Sequence, residues 1–494
     1  MRDADSKSPN APTHVIVGDG ITALAFFEAC LDRDIGAVTV IGRNATALGR
    51  GAAYAKGAAG KPWRYAYLLN SPADDIDPQF AAWLSQRWRH VCAVMAGRAP
   101  DWLRAAAPLV DQGDIYGVNA PREFYGDFME ETAEAIRTAL VARGVRVTFL
   151  DDTAQALDIG PEGVVLRTAA GRALRADGID IAPGGPSTLR IEGDDTAFSA
   201  PSVFGHEDRI AEHIRRGAEI FCIGGNAAML DVLRLCQSLI PETALRFVAC
   251  APDGAVPAAL VPRLPRKMTE PTLTPGHTTA ETFLAEIRRE IDRAEARGEA
   301  MREIRAGFRA HFLDHPLKTY LTDLGEARKV PGALRFWLRG GTRDTIFDLH
   351  RLIRTGTARM MTGKVRAVLS HDDGAEVILE DAAGRESRYK TGFVVNCAGA
   401  GPGSSFDPLT QDLIEKGFLE RRGRGTALAV GAGLSVGGPR IRYLSPAVAE
   451  IGGDVMAMPL YDAHMLRQAV ARATPTLPVL QTRAAAPPSN VRLL

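Results

Sequence analysis

The sequence predicts an α/β chain built on two dinucleotide-binding units, one inserted in the other, with a helical insertion. Three observations carry this. An apolar strand, a glycine turn and a helix follow one another in "HVIVGDGITALAFFEA" at 14–29, the order in which a βαβ unit receives a pyrophosphate. The same order returns in "AEIFCIGGNAAMLDVLRLC" at 218–236. Each unit also has a later strand ending in glycines, "IDIAPGGPS" and "FVVNCAGAG", an internal twofold echo. A chain of 494 residues that is 46% apolar is long enough for several units, each with its own core.

The elements follow in order. Residues 1–12 are polar and read as a disordered leader without the apolar core of a signal peptide. "HVIVG" and "AVTVIG" at 37–42 flank a helix from about Ile21 to Leu31. A Gly/Ala-rich stretch with several aromatic residues then runs to Pro78 without a period, as an ordered functional loop would. Asp74, Asp75 and Asp77 precede "PQFAAWL" and read as an N-cap region, where acids meet the positive end of a helix. A helix is expected over 121–140 and a strand at "VRVTFL", with hairpin strands in "GVVLRT" and "ALRADGIDIAPGG". After the second turn, 277–325 is rich in Glu, Arg and Ala at helical spacing. Strands resume at "GKVRAVLS", "AEVILED" and "SRYKTGFVVNCAGAG", and "DAHMLRQAVARA" is the last helix. The resulting division is 13–190 for the first part of unit one, 191–265 for unit two and 266–345 for a helical insertion, a candidate substrate subdomain. Residues 346–475 complete unit one, and 476–494 form a flexible tail.

Fifty-nine basic residues balance fifty-nine acidic ones, which argues against a nucleic-acid partner. No apolar run approaches the roughly 20 residues that cross a bilayer. The six cysteines form no CxxC pair, which disfavours zinc-ribbon and dithiol chemistry and fits a reducing cytoplasm. The expected partner is a small molecule, with neither nucleic acid nor membrane, and homo-oligomerisation stays open.

Gly18, Asp19, Gly20, Ile21, Thr22 and Ala23 fit G-x-G-x-x-A. Gly18 allows the tight turn, Gly20 lets phosphate approach the backbone, and Ala23 lets helix and strand pack closely. The acid that usually ends the second strand is missing, and Gly42 and Arg43 stand there. Arg43 either meets adenine or phosphate or is a solvated arginine, and the turn alone does not separate FAD from NADP. Gly224, Gly225 and Asn226 make a weaker turn, a site for NAD(P)H or a relic of the fold. Arg263, Arg266 and Lys267 are candidates for the extra phosphate of NADPH, against a solvated basic loop. Trp337, Arg339 and Arg343 could make an aromatic–arginine wall for a carboxylate substrate. His311 and His315 share a helix face, but the glutamate of HExxH is missing and Pro316 follows, so no metal is expected. Cys397 reads as a small buried filler. No triad or dyad stands out, so the catalytic residue is unassigned.

Eight stretches follow one another over about 14–470: "GDGITA", "GRGAAY", "YLLNSPADDID", "NAPREFYGDFM", "IDIAPGG", "IGGNAAMLDVL", "FVVNCAGAG" and "LSPAVAEIGGDVMAMP". In this series the chain resembles the FAD-NAD(P)-binding family of bacterial flavoproteins, related to the N-hydroxylating (ornithine/lysine-type) class B flavin monooxygenases. The resemblance implies a Rossmann-like FAD-binding domain, FAD at the first turn and NADPH or NADH at the second. It implies that Arg50, Arg122, Ala182, Gly184 and Gly399 lie around the cofactors, with Asn70 and Ser71 close to the flavin. The implied activity is an NAD(P)H-consuming monooxygenase that uses O2 through a flavin hydroperoxide, with N-hydroxylation of an amine or amino-acid derivative as the expected reaction. The alternatives are a flavin dehydrogenase or oxidase that takes hydride from its own substrate, and a non-catalytic flavin-binding protein. The chain departs from the family pattern in the lost acid, in Pro183 where threonine is usual, and in Asn226 where glycine is usual.

Overall fold

A computed structural model describes residues 11–473 apart from positions 59, 162, 262, 424, 461 and 462. Of the disordered leader expected over 1–12, residues 1–10 lie outside the described residues, as does the flexible tail expected at 476–494, while the Pro12 carbonyl accepts the Gly36 N–H at 2.8 Å.

Two parallel sheets carry the fold. In the first, β1 (Thr13–Val17), β2 (Ala37–Gly42), β3 (Arg146–Asp151), β4 (Gly178–Ile181) and a late strand, Ile441–Tyr443, stand in the order late strand–β4–β1–β2–β3. In the second, β5 (Ile220–Ile223), β6 (Phe247–Ala251), β7 (Ala358–Thr362) and β8 (Phe393–Asn396) stand in the order β7–β6–β5–β8, with Ser199–Ala200 at the edge. We number the late strand β9. Every adjacent pair in both sheets is parallel. Positions β4, β1, β2, β3 of one sheet correspond to β8, β5, β6, β7 of the other, so the echo of "IDIAPGG" and "FVVNCAGAG" is a repeat of topology. The repeat extends to the crossovers. A three-stranded antiparallel meander lies between β3 and β4 (Ala154–Gly160, Gly163–Thr168, Ala173–Ala176) and another between β7 and β8 (Lys364–Ser370, Ala375–Glu380, Glu386–Thr391). β4, β5, β6 and β8 are buried at every position, as strands covered on both faces must be; β5 and β6 read as unbroken apolar runs, while β4 carries Asp180 and β8 ends in Asn396.

The helices that matter for the site are α1 (Ile21–Ala29), α2 (Pro78–Ala96), α3 (Arg122–Ala142), α4 (Ala227–Leu239), α5 (Ala280–Ala296), α6 (Met301–Asp314), α7 (Arg343–Arg354) and α8 (Ala463–Arg472). α5 and α6 pair as the core of the helical insertion, around Phe283, Ile287, Ile304 and Phe308. Asp77 caps α2 by accepting a hydrogen bond from the Gln79 N–H at 2.9 Å, as its place before Pro78 predicts.

Two boundaries differ from the sequence reading. Completion of the first unit does not begin at 346, because β7 and β8 belong to the second sheet and α7 packs in the second core. The chain returns to the first core only after Asn396, with Leu409 and Leu413. "ALRADGIDI" is also not one hairpin strand. It breaks at Asp177, whose carboxylate accepts the Thr13 N–H at 2.8 Å, and only β4 joins the parallel sheet.

One buried charge ties the C-terminal segment to the first sheet. Asp180 on β4 is fully buried and receives a bidentate pair from Arg442 on β9 at 2.7 and 2.6 Å, with His14 on β1 at 2.9 Å and Arg33 at 3.4 Å. Burial pushes its carboxyl up, but His14 and Arg442 outweigh this and hold it below the ordinary range. Burial also keeps His14 below its ordinary pKa, so at neutral pH it meets Asp180 as a hydrogen-bond donor. Asp180→Ala should cost about 3–5 kcal/mol by stranding Arg442 in the core, read as a lower urea midpoint. Because the folded-state pKa is depressed, the contribution is present above the unfolded carboxylate range and fades as pH falls below it. The wild type should therefore lose stability on acidification more steeply than the variant.

Candidate functional site

The first glycine turn is shaped by the strand beside it. Gly18 has φ +115°, and a Cβ there would fall 2.1 Å from the Ala182 carbonyl oxygen. Its N–H donates to the Ile41 carbonyl at 2.7 Å, and the Ala182 N–H donates to the Val17 carbonyl at 2.7 Å. Gly20 then N-caps α1 with extended backbone and no side-chain cap. A Cβ on Gly20 would meet nothing nearer than the Gly51 Cα at 3.9 Å. The first N–H groups of α1 are thus left for a ligand at the positive helix end. The turn has the geometry to receive a pyrophosphate.

The space of the missing acid is taken by the turn itself. A Cβ on Gly42 would fall 2.9 Å from the Asp19 Cβ and 3.0 Å from its Oδ2. Asp19 therefore occupies the space that a side chain at the end of β2 would fill, and its Oδ2 accepts the Asn44 N–H at 2.8 Å. The glycine at the end of β2 was the available signal.

Asp19, Arg43, Asn44 and the 51–58 segment line a cavity of about 590 Å³, with Trp63, Tyr67, Arg122, Phe204 and Glu207 on its farther walls. The exposed Arg43 is therefore at the site. Arg122 is there too, joining the units: its Nε donates to the Leu68 carbonyl at 3.1 Å and its Nη2 pairs with Asp231 of α4 at 3.0 Å. Burial pushes the Asp231 carboxyl up to about 6 despite that pair. Arg50 departs from expectation. Its guanidinium is 1% exposed and held by Asp127 and Glu130 of α3, so it clamps the 49–54 loop onto that helix instead of facing the cavity.

The second turn repeats the backbone and changes the cap. Gly224 has φ +107° and lies under the Cys397 carbonyl, 2.6 Å from where its Cβ would be, as Gly18 lies under Ala182. Its N–H donates to Cys250 at 2.7 Å, the counterpart of Gly18 to Ile41. Ala182 and Cys397 thus act through their backbones at crossings. The Asn226 side chain caps α4 by accepting the Ala228 N–H at 3.1 Å, which removes one donor that α1 leaves open. Gly399, at φ +79°, belongs to this second turn, and a Cβ there would stand 3.6 Å from the Asn226 Nδ2. Gly184, at φ +91°, opens the linker out of the first unit. That linker runs beside the returning one, with Leu189 N–H to Gly399 at 2.7 Å and Ser187 N–H to Ser405 at 2.8 Å.

The basic and aromatic candidates scatter. Arg263 donates to the Gly298 carbonyl at 2.5 Å, on the helical insertion. Arg266 pairs with Asp74 at 2.9 Å and with Asp114, and Lys267 with Glu299 at 3.1 Å. Trp337, Arg339 and Arg343 do not form one wall. Trp337 packs on the helical core, Arg343 pairs with Asp344, and Arg339 pairs with Asp253 at 2.6 Å and lies over the Phe336 ring. Asp253 sits two residues past β6, where Asn44 sits past β2. His311 bonds Tyr320 through Nε2 at 2.6 Å and stacks on His315. Among the described residues no His/Cys/Asp/Glu group is poised to hold a metal. Cys397 is 1% exposed in the second core.

Asn70 follows a pinned stretch: the Leu69 carbonyl accepts from Asn119 and from Thr342 Oγ1, both at 3.0 Å. Among the described residues neither Asn70 nor Ser71 has a side-chain hydrogen bond. Ser71, 5% exposed, lines a second cavity of about 510 Å³ where the first unit meets α6, α8 and Leu260.

Fold and turn define a dinucleotide-binding protein, and residues 15–186 match the family model described as FAD-NAD(P)-binding. A search of curated proteins finds no match. Among solved structures, the chain is similar to a lysine monooxygenase from Nocardia farcinica (16% identity, 93% of this chain and 99% of that one, TM-score 0.49). It is also similar to an ornithine N-hydroxylase from Kutzneria sp. 744 (14%, 94% and 97%, 0.49) and to a thioredoxin reductase from T. acidophilum (10%, 93% and 95%, 0.44). At these identities and scores the likeness assigns no activity. No helix among the described residues is long and apolar enough to cross a membrane.

Since Gly20 has room and Gly18 has none, their substitutions should part. Gly20→Val should fold, by circular dichroism, but purify without bound dinucleotide. Gly18→Ala should fail to fold. A Gly20→Val protein with a full dinucleotide complement would remove the first turn from the site.

Proposed function

We propose that the chain is an FAD-dependent, NAD(P)H-consuming monooxygenase acting on a small molecule, with N-hydroxylation of an amine or amino-acid derivative as its reaction. The observation that carries this is the repeat: two complete dinucleotide units face each other through Arg122–Asp231, one turn stripped for phosphate and one capped by Asn226. A resident and a visiting dinucleotide fit that difference. The uncapped α1 terminus and Gly20 would take the pyrophosphate of FAD, Asp19 would accept from its ribose hydroxyls, and Arg43 would lie along the adenine end. FAD, when bound, supplies hydride acceptance and, once reduced, reaction with O2. This chain's residues bind and orient: the Leu68–Leu69 backbone is held from three sides and presents Asn70 and Ser71, whose polar ends are uncommitted. Closure of the site against water rests on the aromatic walls of Trp63, Tyr67 and Phe204. The six cysteines form no CxxC pair, and Cys222 and Cys397, which lie within hydrogen-bond reach of each other, are buried in the second core, which disfavours a dithiol reductase.

For the second dinucleotide we infer NADPH. Ala251 takes the strand-end place where an acid would select NADH, and, two residues on, Asp253 pairs with Arg339 of the helical insertion at 2.6 Å. One observation favours a second reading. The Asn226 cap takes a phosphate donor, which suits a dehydrogenase or oxidase that reduces its flavin with its own substrate.

Anaerobic addition of NADPH should bleach the yellow protein. Readmitting air with an amine substrate should yield product carrying one added oxygen by mass. Flavin that no pyridine nucleotide bleaches, but a substrate does, would establish the second reading instead. Arg339→Ala should raise the KM for NADPH by about tenfold to a hundredfold, the worth of one or two charge-assisted bonds, and leave that for NADH nearly unchanged. Equal effects on both would remove Arg339 from the phosphate.

A further inference from the structure

The cavity beside Ser71 does not end at its polar walls. It shares Arg309, Leu313, Met465 and Arg472 with a neighbouring cavity of about 320 Å³ lined mostly by apolar groups, among them Phe312, Leu434, Ile451, Met456, Met458 and Leu460. The two cavities adjoin across these four shared walls, one with a polar end at Ser71 and the other with an apolar end at the 456–460 segment. Both charged side chains at the seam are arginines. Arg305 and Arg302, one and two turns before Arg309 on α6, continue the basic face along the polar cavity. Arg302 is 5% exposed, and its Nε has no hydrogen-bond partner among the described residues.

The acids on these walls have cationic partners. Asp74 and Asp75 are held by Arg302, with Arg266 also on Asp74. Asp454 pairs with Lys318 at 2.6 Å, and Asp314 lies 3.6 Å from Arg472. Methionines suit an aliphatic chain, because their flexible thioethers fill irregular gaps around it.

We propose that these adjoining cavities together bind an aliphatic carboxylate of medium length, its chain among Phe312, Met456 and Met458 and its carboxylate at the Arg309–Arg472 seam. Resting on the reading above, this makes the substrate an amphipathic acid, such as an amino acid that bears an aliphatic or acyl segment. Its reacting end would lie toward Ser71.

The test is calorimetric titration of the full-length holoprotein with hexanoate, octanoate, decanoate and 1-decanol. Decanoate should bind saturably at one site, with affinity rising roughly fourfold per added methylene. 1-Decanol should bind at least tenfold more weakly. Arg309→Ala should weaken decanoate about tenfold, and Met458→Asp should abolish the dependence on chain length. Failure of decanoate to bind, equal affinity for decanol, or a chain-length series that stays flat in the wild type would each overturn the proposal, whether or not a variant folds. Anaerobic bleaching by NADPH is scored on the same protein. Bleaching without decanoate binding sinks this inference alone. Decanoate binding without bleaching sinks the monooxygenase reading and leaves the cavity's ligand class standing.

Discussion

The constraint on which the structure turns is the passage of a backbone carbonyl over a glycine at the end of a parallel strand. Gly18 lies under Ala182, and a methyl group there would sit 2.1 Å from its oxygen. That contact fixes β4 beside β1, aims the chain out of the sheet at Gly20, and starts α1 where its N–H groups face outward. The second unit repeats it with Gly224 under Cys397. Everything a dinucleotide needs from the backbone follows from this crossing. What each unit does with the opening depends on one side chain, absent at position 20 and present as Asn226.

The crossing leaves Asp180, two residues before Ala182, pointing into the first core, and the chain answers with Arg442, His14 and Arg33. A buried carboxylate is costly unless paired, and a paired one specifies geometry more than it adds stability. Here it specifies a long-range choice. β9 comes from near the C-terminus and could add to either sheet edge by hydrogen bonding alone, and Arg442 sets it beside β4. α8, which walls the second cavity, follows from the same placement.

The strand–turn–helix pairs, the α2 cap and the helical insertion were legible because each is written in contiguous residues. The role of Asp19 was harder to see. It is defined by the side chain that Gly42 lacks, and the sequence gives the vacancy and its occupant as separate facts. Arg339 was read as a substrate group because it neighbours Trp337 in sequence. Its partner, Asp253, lies on another unit and is reached through the pairing of Ala258–Ala259 with Gly340–Gly341. The boundary at 346 failed for a related reason. β7 is as apolar and short as a first-sheet strand, and only its register with Phe247–Ala251 tells which sheet it joins. Arg50 was placed around the cofactors by resemblance alone, and nothing in the sequence tells that Gly126 makes room for its guanidinium, 2.2 Å from where a Cβ would stand.

The difference between the two turns bears directly on how the units would divide their work. A resident cofactor gains from every donor a helix can offer, so an uncapped N-terminus and a glycine without neighbours favour retention. A dinucleotide that must leave after each turnover gains from a weaker hold. Asn226, by satisfying the Ala228 N–H itself, lowers the cost of the empty site. The same cap would be expected in a unit that has lost its ligand, so the turn alone does not decide between a visiting cofactor and none. The Asp253–Arg339 pair does bear on it. It brings a guanidinium from the helical insertion to just past β6, where the adenosine phosphate of the proposed NADPH would arrive, and it also ties the insertion to the second unit beside the Ala258–Ala259 and Gly340–Gly341 pairing.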